Sequence, residues 1–195
     1  MKFDTGYSSA DGPRELPTEE IHDANVAFIW DCGMQPGYKD KPPTRKVVVC
    51  FELAECDSKG RPFIACKEET ASLYRKDGSK ASNLRKLAEL LRPDADNSPE
   101  GVNAAGGTVV FHGLPCRVNI EHRGGHAKVA GVMKPSATGK NRSLVREYTE
   151  DRPLGLAKWM VAAAMTPEQV EAAKARLAAK QTTDAGGAGD DLPNF

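Results

Sequence analysis

Aromatic rings and cations alternate along this chain in a way suited to gripping an extended polyanion. Tyr38 stands beside Lys39 and Lys41, with Arg45 and Lys46 a few residues on. Phe63 falls between Arg61 and Lys67, and Tyr74 is followed by Arg75, Lys76 and Lys80. His122, Arg123 and His126 cluster just before Lys128. Flat side chains stack on bases at about 1–3 kcal/mol per base, while cations track the phosphates. Tyr38 and Tyr74 lie in polar surroundings and are the natural stacking positions. Phe63 fits a core or a groove equally well. Phe28, Trp30 and Phe51 sit among aliphatic residues and read as core. The cations at 39–41 and 75–80 have a plainer use as well, which is to solvate a surface.

A second set of side chains points to different chemistry. His112, Cys116, His122 and His126 are four possible zinc ligands within 15 residues, spaced His-x3-Cys and His-x3-His. Against a metal, the last two histidines flank Gly124-Gly125, a tight turn rather than a helix, and no Cys-x2-Cys pair accompanies them. Cys116 precedes an apolar alternation, as a core residue would. No cofactor is expected. Catalytic motifs are missing too: there is no phosphate-binding glycine loop, no Gly-x-Ser-x-Gly and no His-Glu-x-x-His. A non-enzymatic binding protein is the expectation, with a zinc-dependent nucleic-acid enzyme as a distant rival.

Charge is unevenly placed. The 195 residues carry 27 Lys/Arg and 27 Asp/Glu, a net of zero. Residues 1–23 hold two cations against six acids, residues 24–134 hold 17 against 13, and residues 135–195 hold eight of each. A mildly basic centre behind an acidic front end limits the phosphate contribution to any nucleic-acid affinity. No apolar run approaches the ~20 residues that span a bilayer, so no membrane partner is expected. Five cysteines behind a polar, acidic N-terminus fit free thiols in a reducing cytoplasm.

The elements that would position these residues are mostly strands. Residues 24–35 alternate, with Val26, Phe28 and Trp30 on one face and Ala27, Ile29 and Asp31 on the other. Pro, Gly and Asp at 36–43 mark a turn. Residues 44–54 are β-branched and apolar, and a third strand follows at 62–70. Ser82 then caps a helix carrying Leu84, Leu87 and Leu91, which Pro93 stops. Residues 93–108 read as a long, mobile loop. Residues 114–122 and 126–133 form a hairpin about Arg123-Gly124-Gly125. A linker spans 134–152 and a helix 153–165. Another helix starts at Thr166, where Pro167 and Gln169 complete a capping box and Val170, Ala173 and Leu177 make a narrow apolar stripe. Three strands, a helix and two strands is the order of an OB barrel, and also one open to other small all-β folds.

The wording of these segments is more specific than their order. IWDCG at 29–33, VVVCFEL at 47–53, KEETASLYRKDGSKASNLRKLAELL at 67–91 and GLPCRVNIEHRGGHAKVAGVMKP at 113–135 follow one another. Together they resemble a family of phage single-stranded DNA-binding proteins over residues 24–135. Glu69 stands where that family's motif has Tyr, and the turn between Leu73 and Ser82 is longer. The resemblance implies a mainly β OB fold that coats single-stranded DNA in replication, recombination or repair without catalysis.

The C-terminal residues Asp190, Asp191, Leu192, Pro193 and Phe195 are similar to the acidic tip of bacterial single-stranded DNA-binding proteins, with Asn194 intervening before the final Phe. An aromatic anchor joined to carboxylates suits a basic-rimmed apolar pocket on a partner, here a replication or recombination protein. The alternative use is a solubilising tail. The chain thus divides into an acidic, unstructured arm at 1–23, a binding domain at 24–135, a linker and helical segment at 136–180, and a disordered tail at 181–195. A protein-interaction adaptor that binds no nucleic acid is the competing reading of the same architecture.

Overall fold

A computed structural model describes residues 15–37, 41–76, 80–136 and 164–186. The chain is mainly β. Strands β1 (Ile21–Gln35), β2 (Thr44–Cys56) and β3 (Pro62–Thr70) lead to a short hairpin, β4 (Arg75–Lys76) and β5 (Lys80–Ala81). Helices α1 (Asn83–Leu91) and α2 (Pro99–Ala104) and a 3-10 turn at Gly107–Phe111 come next. Strands β6 (Pro115–Arg123) and β7 (His126–Met133) and helix α3 (Pro167–Gly186) complete the order. The main sheet is antiparallel in the order β3-β2-β1-β6-β7. Its edge strands β3 and β7 approach each other, with Cα atoms within 8 Å. The expected helix between the third and fourth long strands is present.

Strand β1 organises the sheet by serving two neighbours. Its first residues, Ile21 to Asn25, pair with β6, and Ala24 onward pairs with β2. Between Val26 and Phe28 the register slips by one residue, leaving Ala27 as a bulge. This overturns the expected facing of the strand. Val26 and Ile29 enter the main core, whereas Ala27, Phe28 and Trp30 join a second cluster. A bulged strand puts two successive residues against one partner, so strict alternation breaks there.

The main core contains Val26, Ile29, Val47, Val49, Phe51, Leu53, Val118 and Ile120, with Leu84, Leu87 and Ala88 from α1. Full burial of side chains this size is worth about 1.5–3 kcal/mol each. Helix α1 starts as expected, with the Ser82 hydroxyl accepting from the Arg85 N–H at 3.2 Å. The expected loop at 93–108 instead carries helix α2, whose Val102 joins the core. Ser98 caps α2 by accepting from Gly101 N–H at 3.0 Å, and Pro99 takes the first turn, where its missing N–H costs nothing. Val102 and Phe111 are then buried against α1 and the sheet.

The N-terminal arm also departs from expectation in its described part. Residues 15–20 lie along the sheet and β1 begins at Ile21. Glu15 accepts from Ser58 N–H at 2.7 Å, and Thr18 N–H donates to Glu55 at 3.0 Å. These contacts tie the segment to the end of β2 and the β2–β3 connection across long stretches of sequence. At the other end, the capping box forms: Thr166 N–H donates to Gln169 at 2.9 Å, and Gln169 N–H to Thr166 Oγ1 at 3.3 Å. The stripe is as expected, with Val170 buried and Ala173 and Leu177 half-buried. Helix α3 continues to Gly186, six residues into the segment expected to be disordered. The helix expected at 153–165 lies outside the described residues up to 163, and Ala164 and Met165 are not helical.

Candidate nucleic-acid interface

The face of β1–β2–β3 turned away from the main core carries the second cluster. Ala27, Cys32, Val48 and Cys50 form its buried base, and Phe28, Trp30, Ile64 and Cys66 pack half-exposed on them. The Phe28 and Trp30 rings lie 5.5 Å apart between centroids, tilted by 53°. The two large rings pack, half-buried, on these small and β-branched residues. Direct register explains the grouping: Phe28 opposes Cys50, Trp30 opposes Val48, and Cys50 opposes Cys66. The sequence reading assigned both rings to the core. The bulge at Ala27 moves both rings from the main core to this second buried cluster, and nothing in the local pattern of apolar residues announces it.

Lys46 bounds this face, held at 3.1 Å by Glu68. Close by, Arg45 forks onto Asp31, with Nε 3.0 Å from Oδ2 and Nη2 closer still. That pairing holds the Asp31 carboxyl below its usual range and raises Arg45 further. Lys67 pairs with the buried Glu69 at 3.1 Å. Tyr74 is 66% exposed at the end of the loop after β3. Phe63 packs half-buried against the main core. Arg75, Lys76 and Lys80 belong to the β4–β5 hairpin.

Arg45, Lys46 and Tyr74 lie where β2 begins and β3 ends, whereas Lys67 opposes Val49 on the core side of the sheet and Phe63 lies at the start of β3. His122, Arg123 and Lys128 do not join them. The β6–β7 turn lies beyond Ile21, at the opposite end of β1 from Met34 and Arg45. His122 is engaged there in holding the N-terminal segment: its ring nitrogen is 2.7 Å from Pro17 O, and its backbone N–H donates to Glu19. Arg123 pairs with Glu121 at 2.9 Å, while Lys128 is exposed with no ion pair among the described residues. Tyr38 and Lys39 lie outside the described residues, as do Asp190, Asp191, Leu192, Pro193 and Phe195.

Helix α3 adds cations that the sequence reading missed. Met165 N–H donates to Met34 O at 2.8 Å, which seats the start of the helix beside the end of β1. A cleft of about 390 Å³ then opens between α3 and the β1–β2 connection, with Lys41, Arg176 and Lys180 among its walls and Met165 and Leu177 as apolar lining. The clue in the sequence was the narrowness of the apolar stripe, which leaves Arg176 and Lys180 on the helix flanks.

The four possible zinc ligands do not converge. Cys116 is buried in the main core, burial pushing its thiol up to about 12, and His112 and His126 are exposed. Among the described residues no three His, Cys, Asp or Glu side chains are placed to share a metal ion. No described helix is long and apolar enough to cross a membrane. No family model, curated protein or solved structure matches this chain.

Proposed function

We propose that this protein binds single-stranded DNA on the outer face of β1–β2–β3, on an OB-type barrel, and recruits replication or recombination proteins through its acidic C-terminal tip. The observation that carries the reading is the Phe28–Trp30 ring pair raised on that face, with Lys46 at its edge. Half-exposed rings over a floor of small side chains give bases a stacking platform. Tyr74, the β4–β5 hairpin and the basic-walled cleft beside α3 extend the same end of the molecule with further rings and cations. The strand order β3-β2-β1-β6-β7, the approach of the two edges and the helix after β3 support an OB barrel.

Stacking supplies most of the affinity in this scheme, because several cations are already neutralised by carboxylates. Every base has a π-face, so binding is tolerant of sequence. The test is an anisotropy competition with labelled oligothymidine against unlabelled single-stranded DNA, duplex DNA and RNA. Single strands are expected to compete and duplex DNA to fail, since paired bases cannot leave the stack to reach the rings. Failure to bind oligothymidine at about 10 µM in low salt, where the phosphate contribution is largest, favours the adaptor that binds only proteins.

A further inference from the structure

Cys50 and Cys66 occupy directly opposed positions on antiparallel β2 and β3. Their sulfur atoms are 3.6 Å apart, the Cys66 thiol donating to Cys50 Sγ. Opposed residues of an antiparallel pair have Cα atoms about 4.5–5.5 Å apart. A disulfide spans about 4.4–6.8 Å between Cα atoms. The backbone spacing therefore already accommodates a bond, and rotation about the Cα–Cβ bonds is all that remains to bring the sulfurs together.

Access differs between the two thiols. Cys50 is 1% exposed, whereas Cys66 is half-buried at the surface of the ring-bearing face. Of the other cysteines, Cys32 and Cys116 are buried, and Cys56 is exposed at the end of β2. None of these three is paired with another cysteine across a ladder.

We propose that Cys50 and Cys66 form a reversible oxidation site, closing to a cross-strand disulfide on exposure to a peroxide. Cys66 meets the oxidant. Its sulfur attacks one peroxide oxygen, the O–O bond breaks, and Cys66 becomes a sulfenic acid with release of one water. The Cys50 sulfur then attacks the Cys66 sulfur, the S–OH bond breaks, and a second water carries away the hydroxyl and the Cys50 proton. Two thiols lose two electrons and two protons in all, and hydrogen peroxide is reduced to two waters. The hydrogen bond shared between the two thiols, and then burial, hold the Cys50 thiol protonated, so the second step is slower than the first. A dithiol reductant reverses the bond by exchange. This site stands independently of what the face binds.

The test uses the full chain carrying Cys56→Ser, which removes the exposed thiol able to link two molecules. Hydrogen peroxide treatment is followed by intact mass and by peptide mapping under non-reducing conditions. The expected result is a loss of about 2 Da, a single Cys50–Cys66 linked peptide pair, and full return of the original mass with dithiothreitol. The further change Cys66→Ser should abolish the mass loss, and Cys50→Ala should leave Cys66 to gain oxygen instead. A chain in which both Cys50 and Cys66 are retained but Cys66 accumulates sulfinic acid, or in which the linked pair involves Cys32 or Cys116, overturns the assignment.

Discussion

Trp30 and Phe28 show how one backbone irregularity reassigns side chains. Their i, i+2 spacing with Val26 is a regular alternation, and a regular strand would bury all three together. The extra residue at Ala27 moves the later two to the other face. The sequence made the ring chemistry visible but not the face, because a bulge depends on how two strands pair and leaves no mark on one strand alone. Arg45 was singled out as a phosphate contact, and its partner Asp31 was read only as a strand residue. The fork between them makes a prediction of its own. Asp31 has its carboxyl lowered from an ordinary 3.8, mainly by the Arg45 hydrogen bond. A depressed carboxylate stabilises the fold fully above its ordinary value, and that stabilisation fades as pH falls through the folded value. Arg45 is largely exposed, so the effect is held to about 1 kcal/mol or less. Thermal unfolding should show Asp31→Asn below the wild type at about pH 6, with the gap closing near about pH 2. A gap that stays constant with pH contradicts a role for the ion pair.

At the level of elements, local signals were read well and tertiary ones poorly. The Ser82 cap, the Thr166–Gln169 box and the Gly124-Gly125 hairpin each rest on chemistry within four residues, and all three form. Gly124 and Gly125 have φ of 59° and 75°, the left-handed conformation that an Asn-Gly-like two-residue turn requires. The segment at 93–108 was misread because its composition is that of a loop. Val102 and Phe111 join the main core, and the 3-10 turn lies against β1, a packing that only the assembled fold provides. Phe111→Ala should therefore cost about 3–5 kcal/mol in denaturant unfolding. Ser98→Ala should cost about 1 kcal/mol, the loss of one helix cap. If both changes were silent, residues 93–111 would be a surface loop after all. The ends of the chain carry a similar lesson. The acids of residues 15–20 looked like a solvated arm, but their hydrogen-bond partners, Ser58 and His122, are 43 and more residues away.

Over the whole molecule, charge pairing constrains how the proposed DNA binding would draw on phosphates. Arg45, Lys46, Lys67 and Arg123 each already face a carboxylate. With those four pairs kept on binding, counterions are displaced from about 2–4 phosphates, so log affinity should fall against log salt with a slope of about −1.5 to −3. A markedly steeper slope, measured by oligothymidine titration, means those ion pairs open on binding. The net charge of zero fits the same picture, with acids beyond Gly186 available to compete for the basic cleft. Removing residues 187–195, which takes away Asp190 and Asp191, is expected to tighten binding in low salt and have little effect in high salt. Equal affinity at both would rule out competition by the tip. The mainly β order of elements was legible from patterning alone, because each strand carries its own period. The location of the proposed binding face was not, since it depends on the bulge and on the packing of α3. The most direct measurement is the affinity of Trp30→Ala for oligothymidine, with circular dichroism and thermal unfolding confirming the fold. Binding on the ring-bearing face predicts a loss of about 5- to 150-fold, the equivalent of about 1–3 kcal/mol for one stacked base. A folded Trp30→Ala protein that binds as tightly as the wild type would contradict it.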